Sequence, residues 1–344
     1  LAVDPTTDIS YTQAGSGRDG DGQSVSEYLE RWLAHVRGRV RTVTFEGYAG
    51  LVRHHALPRL GSIPIGVLTP LDVQELYDSL LAEPVDGRRL AAGTVLNLHL
   101  VLTQAFGQAV RWRLLPSSPV AGAQPPRPRR SPRIVVDAAL LERLLAAVAD
   151  TWLELPAGIA AATGMRRGEI LALPWDACDD KLTTLQVRRT LQPTRNGLVF
   201  EQPKTPRSRR TVVLPRYLTP HLTRQRADQR RRRDQAGDRW QEHGLVIDRD
   251  DGRPVNPDTL SSAWARRLRG QKLPPVRFHD LRHCHATLLL TQGVHPKVVS
   301  ERLGHASVGI TLDTYSHVLP TLQQVAAEAF DQLFPQAGEA ADEG

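Results

Sequence analysis

Arg166, Lys204, His279, Arg282, His305 and Tyr315 follow one another along the chain, and together they supply two guanidiniums, an ammonium, two imidazoles and a phenol. These are the groups needed to attack a phosphodiester with a tyrosine and without a metal. A phosphodiester carries a negative charge that repels nucleophiles, and more charge gathers on its non-bridging oxygens in the transition state. Preorganised donors aimed at those oxygens are usually the largest catalytic contribution. Arginine suits that task because it stays charged and its planar fork matches phosphate geometry, which makes Arg166 and Arg282 the candidate clamps. Tyr315 is the candidate nucleophile, dividing one difficult displacement into two easier ones. An unperturbed phenol loses its proton only near pH ~10 and needs positive charge or a base beside it. His279 and His305 are candidates for that help. The departing hydroxyl needs a proton, and Lys204 is the candidate general acid.

The surrounding residues predict the elements that must hold these groups. His279, Arg282 and His283 have the spacing of one helix face, and Phe278, Leu281, Ala286, Leu288 and Leu289 supply its apolar positions up to about residue 291, with Gly293 as its stop. Arg166 and Glu169 repeat the three-residue spacing at the start of a short helix over Arg167–Leu173, ended by Pro174-Trp175. Glu169 therefore stands where it can orient a guanidinium, a supporting role. Leu198-Val199-Phe200 and Thr211-Val212-Val213-Leu214 read as the two arms of a hairpin with Lys204 in the connection.

Five motifs carry a resemblance. Thr163-Gly-Met-Arg166-Arg-Gly-Glu169, Pro203-Lys204-Thr-Pro-Arg-Ser-Arg-Arg210, His279-Asp-Leu-Arg282-His283, Leu303-Gly-His305 and Thr311-Leu-Asp-Thr-Tyr315 resemble, in order and separation, the conserved boxes of the tyrosine recombinase (phage integrase) family. The resemblance spans roughly residues 134 to 335. It implies a site-specific recombinase of a phage or integrative mobile element, working through a 3′-phosphotyrosyl intermediate, a 5′-hydroxyl leaving group and a Holliday junction. It implies no cofactor, no metal and no ATP. The implied partners are double-stranded DNA attachment sites, a homotetramer assembled on them, and an accessory directionality or bending factor.

Composition agrees with a polyanionic partner: Lys and Arg number 44 against 37 Asp and Glu, a formal net charge of +7. Arginine far outnumbers lysine, as a GC-rich coding sequence would also produce, so not every arginine is assigned to DNA. Cys178 and Cys284 stand alone, without a CxxC pairing, and argue against a disulfide framework or a zinc ribbon. No stretch approaches the ~20 apolar residues of a membrane span, and no signal-peptide pattern opens the chain. A cytoplasmic, nucleoid-associated protein is expected. His279 and His283 have the spacing of helical zinc ligands, but no Glu follows His279 to complete His-Glu-x-x-His. His283 and His285 read as structural, the run Arg224–Arg233 as a solvated helix face, and Asp179-Asp180 and Asp248–Asp251 as turns.

The predicted fold is mostly α: a small helical core-binding domain plus a larger α+β catalytic domain with a small antiparallel sheet. Residues 1–22 are rich in Gly, Asp, Ser and Thr and read as a flexible segment, too short for the folded arm-binding domain that many members carry. Residues 23–120 form the helical DNA-binding domain, opened by a capping box of Ser24 and Glu27, with helices expected at about 42–56, 70–82 and 92–112. Residues 121–133 form a basic, Pro-rich linker whose Arg127, Arg129, Arg130 and Arg133 are candidate DNA contacts. Residues 134–335 form the catalytic domain, closing with an apolar-spaced helix over Leu322–Phe334, and 336–344 an acidic tail. The resemblance also covers a chromosome-dimer resolving recombinase and a type IB topoisomerase-like relaxing enzyme. A non-enzymatic binder on the same scaffold would have no use for Tyr315, Lys204 and His305 together.

Overall fold

A computed structural model describes residues 22–82, 89–128, 134–202 and 208–315 and the four positions 327, 328, 330 and 331, with the side chains of Thr314 and Tyr315 left out. The chain divides into two compact units at residues 131/132.

The first unit is helical. Helix α1 (Val25–Val36) opens on Ser24, whose hydroxyl accepts from the Glu27 N–H while the Glu27 carboxylate accepts from the Ser24 N–H at 2.8 Å. Helix α2 (Thr42–Leu51) runs through a π-helical turn (Val52–Ala56) into α3 (Leu57–Leu60), four residues beyond the end expected from sequence. Helices α4 (Pro70–Ala82) and α5 (Ala92–Arg111) follow, and a short 3-10 turn at Pro119–Gly122 packs on both. The core of this unit is built from Tyr28, Leu29, Trp32, Leu76, Tyr77, Leu102 and Phe106. The Tyr28 hydroxyl is not wasted there, for it donates to the Ala105 carbonyl at 2.5 Å.

The second unit holds α6 (Ala138–Val148), α7 (Glu154–Thr163), α8 (Arg167–Leu171), strands β1 (Thr184–Val187), β2 (Thr190–Thr194), β3 (Gly197–Glu201) and β4 (Arg210–Val213), then α9 (Leu218–Ala236), α10 (Pro257–Gly270), α11 (Asp280–Thr291), α12 (Pro296–Leu303) and α13 (Val308–Tyr315). The class is mostly α with a small antiparallel β component, as expected. The hairpin expectation is corrected. β3 pairs with β2, around a turn at Arg195-Asn196-Gly197, and β4 pairs with β1, so the described strands form two separate two-stranded sheets. The chain turns at Arg195-Asn196, with Gly197 following at φ 113°, a far shorter closure than the connection that carries Lys204. That connection passes from one sheet to the other; residues 203–207 lie outside the described residues.

Two further readings change. The helix after Arg166 ends at Leu171 rather than Leu173. The arginine run on α9 is not simply a solvated face: Arg226 stacks over the Trp175 ring at 4.5 Å, and Arg232 donates to Asp248 and to the Arg249 carbonyl. Asp248 and Asp251 do lie in a turn, with the Arg249 N–H donating to the Arg253 carbonyl. The expected helix over Leu322–Phe334 falls almost entirely outside the described residues.

The core of this unit reaches directly to the segment that carries His279. Trp264 on α10 is fully buried, meets Phe278 edge-on at 5.6 Å and donates from its indole N–H to the Val276 carbonyl at 2.8 Å. Trp264→Phe keeps an aromatic ring but leaves that carbonyl unpaired and part of the indole volume empty, so it is expected to cost at least about 1–3 kcal/mol of stability. Urea unfolding at neutral pH checks this; an unchanged midpoint would show that the indole N–H does not secure the segment.

Candidate active site

The site is assembled at the ends of helices. α7 closes on Gly164 (φ 65°) and α12 on Gly304 (φ 68°), both in the left-handed conformation that favours glycine. Crowding reinforces the requirement at Gly164, because a Cβ there would lie 2.5 Å from Leu303 Cδ2. A helix that ends this way leaves carbonyls without helical partners and a partial negative charge around them. Side chains from α11 and α12 collect those carbonyls. Arg282 is 4 % exposed and donates to the Gly164 carbonyl at 2.5 Å and to the Leu303 carbonyl at 2.9 Å. Arg302 donates to the Ala162 carbonyl at 2.8 Å, and His285 Nδ1 lies 2.8 Å from the Ala161 carbonyl. A carbonyl only accepts, so His285 carries its proton on Nδ1, and its Nε2 accepts from Arg302 Nε at 3.1 Å.

Arg282 thereby registers three segments. Gly164 lies two residues before Arg166, and Leu303 two residues before His305. Arg166 itself stands at the start of α8, and Gly168 lets that helix press against β2, where a Cβ would meet the Leu191 carbonyl at 2.6 Å. Glu169, 4 % exposed, accepts from the Arg166 backbone N–H at 3.0 Å and from its guanidinium at 2.9 Å. The same carboxylate accepts from Arg210 on β4 at 2.9 Å. Burial alone would raise the Glu169 pKa, but the charge and hydrogen bonds of Arg210, with the charge of Arg166, hold it below the usual carboxylate range. Arg210 also donates to the Arg302 carbonyl at 2.6 Å and lies directly beneath Gly304. The guanidinium of Arg166 is different in kind: 41 % of its side chain is open to solvent, against 6 % for Arg210.

His279 is the residue just before α11, and its ring meets that of His283 edge-on at 5.2 Å. His305 lies between α12 and α13, and its Nδ1 is 2.8 Å from Oγ1 of Thr311 on α13. Burial pushes His305 down to about 4, helped by the charges of Arg282, Arg166 and Arg210. His279 is also pushed to about 4, by desolvation and by His283, Arg282 and Arg166, against the opposing Asp280. More than a third of its surface is exposed, so water screens those charges more than at His305. Burial and Arg302 push His285 down to about 4 as well. The charges of Arg166 and Arg282 thus reach both His279 and His305, and Glu169 pairs with Arg166.

The remaining candidates lie elsewhere or outside view. The backbone of Tyr315 closes α13, which packs on α12. Lys204, Arg129, Arg130 and Arg133 lie outside the described residues, and Arg127 is exposed in the first unit. Arg210 is a site residue that the sequence motifs do not point to. Its signal was faint: an arginine at the start of an apolar strand, in a chain full of arginines. Among the described residues no group of His, Cys, Asp and Glu has the arrangement to hold a metal ion, and none of the helices is long and apolar enough to cross a membrane.

Two expectations follow. Glu169→Gln removes the one charge that Arg166 and Arg210 share, and is expected to destabilise the second unit by about 3 kcal/mol; a wild-type urea midpoint would mean the carboxylate is not their counterion. The histidines set a pH dependence. Unfolded imidazoles titrate near ~6.5, whereas His285 and His305 in the fold titrate at about 4. Between these values the unfolded chain binds more protons, so stability is greatest above the upper value and falls as pH drops toward the lower. Thermal unfolding across pH 7 to 4.5 should show Tm falling through that window, with His279 contributing least; a flat Tm would contradict neutral, buried rings.

The chain matches the Phage integrase family over residues 135–321 and the phage integrase N-terminal SAM-like domain over residues 24–81. It is 28% identical over 341 residues to a tyrosine recombinase XerC-like protein of Caldanaerobacter subterraneus subsp. tengcongensis, covering 93% of this chain and 86% of that protein. The fold is similar to that of the Tn1549 transposon integrase solved with transposon right end DNA, with a TM-score of 0.74 at 21% identity over 91% of this chain and 99% of that one. It is also similar to the lambda integrase solved as a tetramer bound to a Holliday junction, with a TM-score of 0.62 at 19% identity over 84% and 79% of the two chains.

Proposed function

The chain belongs to the phage integrase family of tyrosine recombinases, and from that premise we propose that it integrates or excises a phage or integrative mobile element by cutting and rejoining duplex DNA. The observation that carries the reading is electrostatic. Both candidate imidazoles, His279 and His305, feel both candidate guanidiniums, Arg166 and Arg282, although the four residues come from three separate segments. A cluster of donors this dense is suited to a phosphate.

In this reading the solvent-open Arg166 and the buried Arg282 grip the non-bridging oxygens of the scissile phosphate. The Tyr315 oxygen attacks phosphorus, forming the 3′-phosphotyrosyl bond as the bond to the 5′-oxygen breaks. The phenol proton passes to a neutral imidazole, and Lys204 delivers a proton to the departing 5′-oxygen. Rejoining reverses the roles with a new 5′-hydroxyl, so bond energy is conserved and neither ATP nor metal is called for. Two rounds of exchange pass through a Holliday junction, which requires four active subunits on paired attachment sites. The lambda integrase tetramer on such a junction supports that assembly for a chain of this fold.

The first unit serves as the core-binding domain and the second as the catalytic domain, joined by a basic linker that contacts phosphates through Arg127, Arg129, Arg130 and Arg133. An accessory protein sets directionality. The similarity to a XerC-like recombinase favours, as a second reading, a role in resolving chromosome dimers; the genes beside this one separate the two.

The test is a suicide-substrate assay in EDTA. Nicked duplexes tiling the DNA on both sides of the protein's own gene are incubated with it, and an SDS-stable protein–DNA adduct is sought. Tyr315→Phe should bind DNA as the wild type does yet form no adduct. Arg166→Ala should slow adduct formation by about a hundredfold or more while weakening binding modestly, and Arg282→Ala should lose adduct formation together with stability, because it also strips the Gly164 and Leu303 carbonyls of their donor. Cleavage that appears only when magnesium is restored would overturn the metal-free tyrosine mechanism.

A further inference from the structure

Two histidines of this unit are held through Nδ1, and the difference between their partners has a chemical consequence. His285 faces the Ala161 carbonyl, which accepts only, so its proton is confined to Nδ1. His305 faces the Thr311 hydroxyl at 2.8 Å, which can donate as well as accept. Of these two rings, His305 is the one whose partner allows the proton to sit on Nε2. Among the described residues no hydrogen bond engages that nitrogen.

We propose that Thr311 is a positioning residue for strand transfer: its hydroxyl donates to Nδ1 of His305, leaving Nε2–H as the donor available to a phosphate oxygen. The inference rests on the reading of His305 as a phosphate contact. Phosphate oxygens in a diester accept and do not donate, and a neutral imidazole has a single N–H. A ring protonated on Nδ1 would present a lone pair to the phosphate and repel it. His305 is neutral at the pH at which such a protein works, because burial and its arginine neighbours depress its pKa.

The placement of Thr311 adds a mechanical role. Its side chain is fully buried, so the hydrogen bond is shielded from competing water. Thr311 lies four residues before Tyr315 on α13, one turn back along the same helix. The bond therefore joins the helix that bears the nucleophile to the loop that bears a phosphate donor. Arg282 holds that loop from the other side, through the Leu303 carbonyl.

Two substitutions separate positioning from packing. Thr311→Val keeps the shape and removes the hydroxyl; Thr311→Ser keeps the hydroxyl and removes a methyl. Positioning predicts that Thr311→Val folds and binds DNA normally but forms the SDS-stable adduct about tenfold more slowly, and that Thr311→Ser recovers most of the rate. A packing role predicts the reverse order, with Val near wild type and Ser impaired, and would overturn the proposal. The second measurement needs no DNA. Long-range 1H–15N correlation on 15N-histidine-labelled protein, with the His305 signals assigned by their loss in His305→Gln, reads which nitrogen holds the proton. Wild type should show Nε2–H, and Thr311→Val a mixture of tautomers. A proton on Nδ1 in the wild type would overturn the proposal. If no tiled nicked duplex yields an adduct with wild type, the recombinase mechanism is what fails, and the tautomer alone then decides the role of Thr311.

Discussion

One buried guanidinium holds the second unit's chemistry in register. Arg282 has almost no contact with solvent, yet two of its bonds go to backbone carbonyls, those of Gly164 and Leu303. Both carbonyls lie at helix C-termini, where the aligned peptide dipoles leave partial negative charge. A cation bridging two such ends compensates both helices at once, and it draws the loop carrying Arg166 and the loop carrying His305 toward itself. The glycines at the two ends make the arrangement feasible. Each adopts the left-handed turn that closes its helix, and at Gly164 a side chain would collide with Leu303.

Around this hub the other charges divide the work between holding and reaching. Arg302 and His285 take two further carbonyls at the end of α7, those of Ala162 and Ala161. Arg210 ties Glu169 to the end of α12, and Glu169 in turn aims Arg166. These are deeply or partly buried groups, fully engaged with partners in the protein. Arg166 is the exception, with a guanidinium that is anchored at one edge and open to water at the other. That asymmetry is what a site for an incoming anion requires: rigid support beneath and an unsatisfied donor face above. The same concentration of positive charge, acting with burial, keeps the nearby imidazoles neutral, so that they can serve as donors and acceptors rather than as further cations.

The two small sheets serve the site indirectly. β2 receives α8 at Gly168, and β4 delivers Arg210. The connection carrying Lys204 runs from one sheet to the other rather than around a single hairpin. Its two ends belong to two different pairings, β3 with β2 and β4 with β1. Sequence pattern could locate β3 and β4, though not β1 and β2, because apolar runs bounded by turn residues are a local signal. It could not say which strand pairs with which, because pairing depends on contacts between residues far apart in the chain. The local clue is the short polar stretch Arg195-Asn196-Gly197 between two strand-length segments.

By itself the sequence determined the class of fold, the helix that opens at Ser24, and the set of residue types from which a phosphate site can be built. Those are properties of short windows: apolar spacing, a capping box, and arginines and histidines in recognisable company. Tertiary structure alone decided what stands beside what. It made Glu169 a shared counterion, turned an inconspicuous Arg210 into its second partner, and gave His285 a partner that only accepts and His305 one that can also donate. The physical reason is that charge, burial and proton placement are set by neighbours in space. Ala161 and His285, or Glu169 and Arg210, become neighbours only when helices and strands distant in sequence close on one another.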